Sequence, residues 1–152
     1  MTWSDDGFLP SMAQHALALT IRDLLGHTPG THGEAAGGVR CYAQDPIYTP
    51  VDEQVLSEAG FTVLNDPRAF LEVDEASVVI AISPDIPVRQ IIADIARPAI
   101  MVWDKVTISD PNTSTDPVSP RVIQMMKEYT ELPFPPEDEY FGDLAIYIRK
   151  AG

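Results

Sequence analysis

Cysteine is nearly absent from this chain. Cys41 is the only one among 152 residues, so no internal disulfide can form. That suits a reducing compartment. Lysine is almost as scarce, limited to Lys105, Lys127 and Lys150, and 10 basic side chains stand against 23 acidic ones for a formal net charge of −13. The arginines before residue 100, at 22, 40, 68, 89 and 97, are scattered singly. A nucleic-acid binder needs a basic stripe to displace counterions from phosphates, and none is present. The same deficit disfavours an anionic membrane surface. No apolar run approaches the roughly 20 residues of a membrane span. The start, Met1-Thr2-Trp3-Ser4-Asp5-Asp6, is acidic where a secretory leader would be basic and then apolar. Cytosol or nucleus is the expected compartment. The phosphate-cradling Gly-x-Gly-x-x-Gly turn is also missing: Gly30, Gly33, Gly37 and Gly38 precede a strand, not a helix.

What is there describes a globular domain. Hydrophobic residues make up 45% of the chain, and its length suits a single domain over residues 1–152. Fourteen prolines are many, but several stand where helices open. The excess of acid either keeps copies apart by repulsion or faces a basic protein partner.

The pattern alternates helices and strands. Residues 1–10 read as irregular. Ser11-Met12-Ala13-Gln14 is a capping box, opening a helix to about Leu25. Met12, Ala16, Leu17, Leu19, Ile21, Leu24 and Leu25 give it a wide apolar face for packing on a sheet. Gly26 suits its end, and His27 to Gly38 is a glycine-rich loop. Val39 to Tyr42 is a strand. Thr49-Pro50-Val51-Asp52 opens a helix that stops near Ala59-Gly60. Phe61 to Leu64 is a second strand, and Asp66-Pro67 begins a short helical turn to Phe70 or Leu71. Ser77 to Ile82 is a continuous β-branched run, the pattern of a strand buried on both faces. Pro87 opens a helix to about Ala96, followed by a buried strand from Ile100 to Trp103. A polar loop spans 107–117, a helix runs from Ser119-Pro120 to about Tyr129, and 132–139 is a second loop. Leu144 to Arg149 closes as a strand. This order predicts an α/β fold, a three-layer Rossmann-like sandwich with a mainly parallel sheet of about five strands. The first strand of such a fold is central, yet nothing before Ser11 reads as one. Its lack predicts a gap, another strand order, or a place filled by a homodimer or a partner segment.

Asp45, Asp85 and Asp104 each follow a predicted strand, where open α/β sheets bind ligands. Asp45 is a candidate for ribose hydroxyls, and Tyr48 for stacking on a base; equally, Asp45-Pro46 is a turn and Tyr48 covers the sheet end. Ser83, Asp85 and Asp104 complete the candidate set for a small-molecule ligand. Lys105 either holds an anion there or pairs with Asp104. No Asp-x-Asp loop supports a divalent cation, and His15, His27 and His32 lack the partners of a zinc set. Cys41 sits inside a strand and reads as a small hydrophobe. No serine elbow is present, so no catalytic residue is assigned and no cofactor is indicated.

Three segments carry a family resemblance. Ser11-Met12-Ala13-Gln14-His15-Ala16 with Leu19, Tyr42 through Asp45-Pro46-Ile47-Tyr48 with Asp52 and Leu56, and Val78 through Ser83-Pro84-Asp85 resemble the sensitivity-to-red-light-reduced (SRR-like) family. The tail, Tyr140-Phe141-Gly142-Asp143 with Ile146-Tyr147, is similar to its fungal members. The resemblance implies a Rossmann-like fold and a regulatory role, tied to light and clock signalling in plants and to haem metabolism and growth elsewhere. The family has no settled reaction. Its Pro-His-Cys turn is Ser83-Pro84-Asp85 here, without histidine or thiol, and its first strand and glycine turn are not evident, so the chain reads as a shortened or diverged member. The expected function is that of a non-enzymatic regulatory or interaction protein with a vestigial small-molecule site. The alternative is a nucleotide- or S-adenosylmethionine-dependent transferase.

Overall fold

The computed structural model describes residues 5–26, 39–82, 84–107, 116–135 and 143–152, with the side chains of the first helix described from Gln14 onward. The chain divides into two compact units, one of residues 11–72 and one of residues 1–10 with 73–152.

In the first unit, most of helix α1 (Asp5–Gly26) is followed by β1 (Cys41–Ala43), α2 (Pro50–Glu58), β2 (Phe61–Val63) and α3 (Arg68–Leu71). β1 and β2 pair in parallel, Cys41 opposite Phe61 and Ala43 opposite Val63. The link between them is α2, the right length for a parallel crossover. Thr49 caps α2 reciprocally with Asp52: Asp52 N donates to Thr49 Oγ1 at 3.3 Å, and Thr49 N donates to Asp52 Oδ2 at 2.8 Å. Pro50 takes the first helical position, where no N–H is needed. Leu56 is the buried anchor of the helix. Gly60 ends it at φ +93°, which a side chain would strain, and a Cβ there would lie 3.0 Å from Arg22 Nη1. That guanidinium donates to the Ala59 carbonyl, tying α1 to the end of α2. Gln44 ties α3 to β1: its Nε2 donates to Asp66 Oδ1 at 3.0 Å and its Oε1 accepts from Ala69 N at 2.8 Å.

The second unit holds β3 (Val78–Ala81), α4 (Val88–Ile95), β4 (Ile100–Asp104), α5 (Pro120–Met126), β5 (Tyr129–Pro133) and β6 (Leu144–Arg149). Their sheet runs β3-β4-β6-β5. β3 and β4 are parallel, whereas β6 is antiparallel to both neighbours. Register places Met101 opposite Tyr147 and Tyr147 opposite Glu131, so Met101, Trp103, Ala145, Tyr147 and Tyr129 share one face. All five are buried, and with Val88, Ile92, Val122 and Met125 from the two helices they form the core. The Tyr129 hydroxyl donates to the Pro98 carbonyl at 2.6 Å.

This architecture overturns the expectation of a three-layer Rossmann-like sandwich built on one mainly parallel sheet of five strands. There are two sheets among the described residues, and the larger is mixed. The reason lies in the chain after α5. That helix stops at Met126 rather than Tyr129, and Tyr129–Pro133, expected to end a helix and enter a loop, is a strand. Only residues 134–143 separate β5 from β6, too few for a crossover helix, so the two pair as antiparallel neighbours. Pro133 is tolerated because β5 is an edge strand. Three further expectations change. α1 begins at Asp5, so residues 5–10 are helical and Ser11 lies within the helix. Leu24 and Leu25 are exposed rather than packed. The run around Val78–Ala81, expected inside a sheet, is half-buried and has β4 as its single strand neighbour among the described residues.

The Thr49–Asp52 cap sets a pH dependence. Bonds from the Thr49 backbone and then its hydroxyl lower the Asp52 pKa below its ordinary value. The folded pKa lies under the unfolded one, so its stabilisation is present above the ordinary aspartate range and lost as pH falls through the lowered value. Thr49→Ala should cost about 1 kcal/mol at neutral pH in urea unfolding. The difference between wild type and Asp52→Asn should close in that acidic window.

Candidate functional site

Among the described residues, a buried and closely bonded polar cluster lies where β4 ends and α4 begins. Helix α4 starts after Pro87, which supplies no side-chain cap, and carries Arg89 in its first turn. A cation there opposes the helix dipole, and the exposed first-turn N–H groups need an acceptor. Asp116 answers both needs from a distant part of the chain. Its Oδ1 accepts from Arg89 N at 3.0 Å, and its Oδ2 lies 3.0 Å from Arg89 Nε as an ion pair. The other guanidinium nitrogens donate outward, Nη1 to the Asp104 carbonyl at 3.1 Å and Nη2 to the Asp116 carbonyl. Arg89 and Asp116 are 4% and 2% exposed, so this is a buried pair and not a surface one.

Burial pushes the Asp116 carboxyl up from its ordinary pKa; Arg89 pulls it back, and Asp104 pushes it up further. Desolvation therefore outweighs attraction, as expected for a buried ion pair. Since the folded pKa is raised, this group favours the fold while protonated, below the unfolded aspartate value, and that increment is lost as pH rises through the folded value.

Beside the pair stands Tyr147. Its hydroxyl donates to Glu131 Oε1 at 2.8 Å and accepts from Val106 N at 2.9 Å. Burial first, then Glu131, hold its pKa far above the ordinary tyrosine value, so it stays protonated. Its ring centroid is 6.4 Å from that of Trp103, whose Nε1 is buried without a hydrogen-bond partner among the described residues. Chemically the cluster binds chain to chain: it joins the α4 start, the β4 end and the segment at Asp116.

The sequence-predicted residues divide between the units. Asp45 and Tyr48 fall together in the first. Asp45 Oδ1 accepts from Ile47 N at 2.9 Å and its carbonyl accepts from Tyr48 N at 3.2 Å, which is a turn stabilised by its own acid. Tyr48 is half-buried, its ring 6.3 Å from that of His15. Burial, then Asp45 and Asp52, push its pKa up to about 12. Asp85 and Asp104 belong to the second unit, Asp85 exposed after β3 and Asp104 half-buried at the end of β4. Ser83 lies outside the described residues, as do His27 and His32. Lys105 N donates to the Asp143 carbonyl at 2.8 Å. The Cys41 thiol lies 3.8 Å from the Val39 carbonyl, and burial raises its pKa, the character of an inert thiol. Among the described residues, no three His, Cys, Asp or Glu side chains are grouped to hold a metal ion. Arg89 and Asp116 escaped sequence reading. The available signal was an arginine in a helical first turn where acids belong.

Asp116→Ala strands a buried guanidinium and should cost about 3–5 kcal/mol. Replacing both partners with apolar residues, Arg89→Met with Asp116→Leu, should recover most of that loss. Urea unfolding of the three proteins measures it.

No curated protein and no solved structure matches the chain. The family model described as SRR1 domain matches residues 8–148, nearly the whole length, without singling out a fungal form. On that match, and with the resemblance already visible around Asp45-Pro46 and Val78–Asp85, the chain belongs to the SRR1 domain family.

Proposed function

We propose that this SRR1-domain chain is a non-enzymatic regulatory or interaction protein, placed in the cytosol or nucleus, that acts through a protein partner. What chiefly supports it is the use of the polar groups at the end of β4. Arg89 and Asp116, which a ligand edge would present to substrate, are buried and committed to each other and to backbone. In the other unit the Asp45 carboxylate serves its own turn. Asp45 and Tyr48 in the one unit, and Asp85 and Asp104 in the other, are kept as separate candidates for a vestigial small-molecule contact. The net charge of −13 favours a basic partner over an acidic one. No helix among the described residues is long and apolar enough to cross a membrane.

Thermal melting with NAD, FAD, ATP and S-adenosylmethionine tests this against the transferase alternative. A ligand at a hundredfold excess over its Kd adds about 2.7 kcal/mol to native stability. For a chain of this size that is a rise of several degrees. The expected result is no rise at millimolar ligand; a rise abolished by Asp45→Ala and accompanied by turnover of the bound compound establishes the transferase alternative instead.

A further inference from the structure

The two edges of the four-stranded sheet are built differently. β5 carries Glu131 and Pro133, devices that keep an edge from recruiting strands. β3, the opposite edge, reads Val78-Val79-Ile80-Ala81 and has no charge, no proline and no bulge. The Ser77 carbonyl accepts from Ala99 N at 3.0 Å, so Ser77 faces β4. Backbone groups alternate sides along a strand, so Val79 and Ala81 also face β4 while the N–H and C=O of Val78 and Ile80 face away from it. Among the described residues no strand pairs with that side. The side chains alternate as well. Val79 and Ala81 continue the face of Met101 and Trp103, while Val78 and Ile80 continue that of Ile100 and Val102. All four are half-buried, short of the burial their apolar character invites.

We propose that the free edge of β3 receives an extended segment of another protein, apolar at its centre and flanked by lysine or arginine. Main-chain hydrogen bonds to Val78 and Ile80 supply affinity, and side chains alternating to both faces extend the sheet's two layers. The flanks select the charge of the partner. Three acids, Asp74 and Glu75 just before β3 and Asp85 just after it, are exposed there and outnumber the guanidinium of Arg149, which donates to the Glu75 carbonyl at 3.0 Å. A second copy is disfavoured for the same reason. Antiparallel pairing of β3 with itself sets Asp85 of one chain against Asp74 and Glu75 of the other, and parallel pairing sets each acid beside its twin. Lysines at both ends of a strand meet acids in either orientation.

This assignment rests on the interaction reading above and is tested separately from it. The probe is a fluorescent peptide of alternating valine and threonine with a lysine pair at each end; its counterpart carries glutamate pairs. The whole chain should bind the lysine peptide saturably and more weakly in high salt, and should not bind the glutamate peptide. Ile80→Pro removes an outward N–H that takes no part in the β4 ladder. It should weaken binding at least about tenfold, the equivalent of about 1.4 kcal/mol. Val78→Lys, which adds a guard charge, should do the same, and circular dichroism melts check that both variants fold. Equal binding by the glutamate peptide, failure to bind the lysine peptide, or full binding by both variants overturns the proposal. So does dimerisation without peptide, seen by light scattering and lost in Ile80→Pro, which would make a second copy the occupant. A chain that ignores nucleotides and the peptide alike loses this edge but not the interaction reading. Turnover of a bound nucleotide or S-adenosylmethionine removes that reading whatever the peptide does.

Discussion

The carboxylate of Asp116 holds together parts of the second unit that the chain alone would not. It accepts from the first turn of α4 and neutralises Arg89, and through that guanidinium the carbonyl at the end of β4 is held as well. A helix that opens on Pro87 and carries an arginine in its first turn has its dipole and its side chain both calling for an anion. Supplying it from residue 116 closes a long stretch of chain. The buried pair is not a large source of net stability, because desolvation of the carboxylate outweighs the attraction. Its effect is to determine which segments meet.

Around that junction the polar groups are arranged for structure. The Tyr147 hydroxyl joins β6 to Glu131 on β5 and to the backbone at Val106, and Tyr129 joins β5 to the segment after α4. In the other unit, Thr49 with Asp52 and Arg22 with Ala59 hold the two ends of α2. Apart from the Tyr147–Glu131 bond, which is side chain to side chain, each pairs a main-chain group with a side chain from outside its own helix or strand, or from a helix terminus. The apolar edge of β3 carries no such guard among the described residues.

Much of the element order was legible. β4, β6, α2 and α4 follow from β-branched runs, a threonine–proline helix start and a glycine after the last turn, all of which are local signals. The candidate acids were only partly legible. Asp45 was recognisable as either a turn residue or a ligand, and its bond to Ile47 N shows the turn. Arg89 and Asp116 were missed because the pair is 27 residues apart and neither residue belongs to a motif. The strand at Tyr129 was missed because a helical reading ran through it, and because the prolines after it suggested a loop.

The sequence by itself determined where α2, α5, β2, β4 and β6 begin, since caps, prolines and apolar period act within a few residues; the starts of α1 and β5 it did not. It also determined the acidity. Only the tertiary structure decided how strands pair. The sheet is mixed because the short link between β5 and β6 leaves no room for a crossover, and β6 then takes the place beside β4. Likewise only packing decided that β3, written as an interior strand, has one side without a strand neighbour among the described residues, because pairing depends on which other segments arrive beside it and not on the residues it contains.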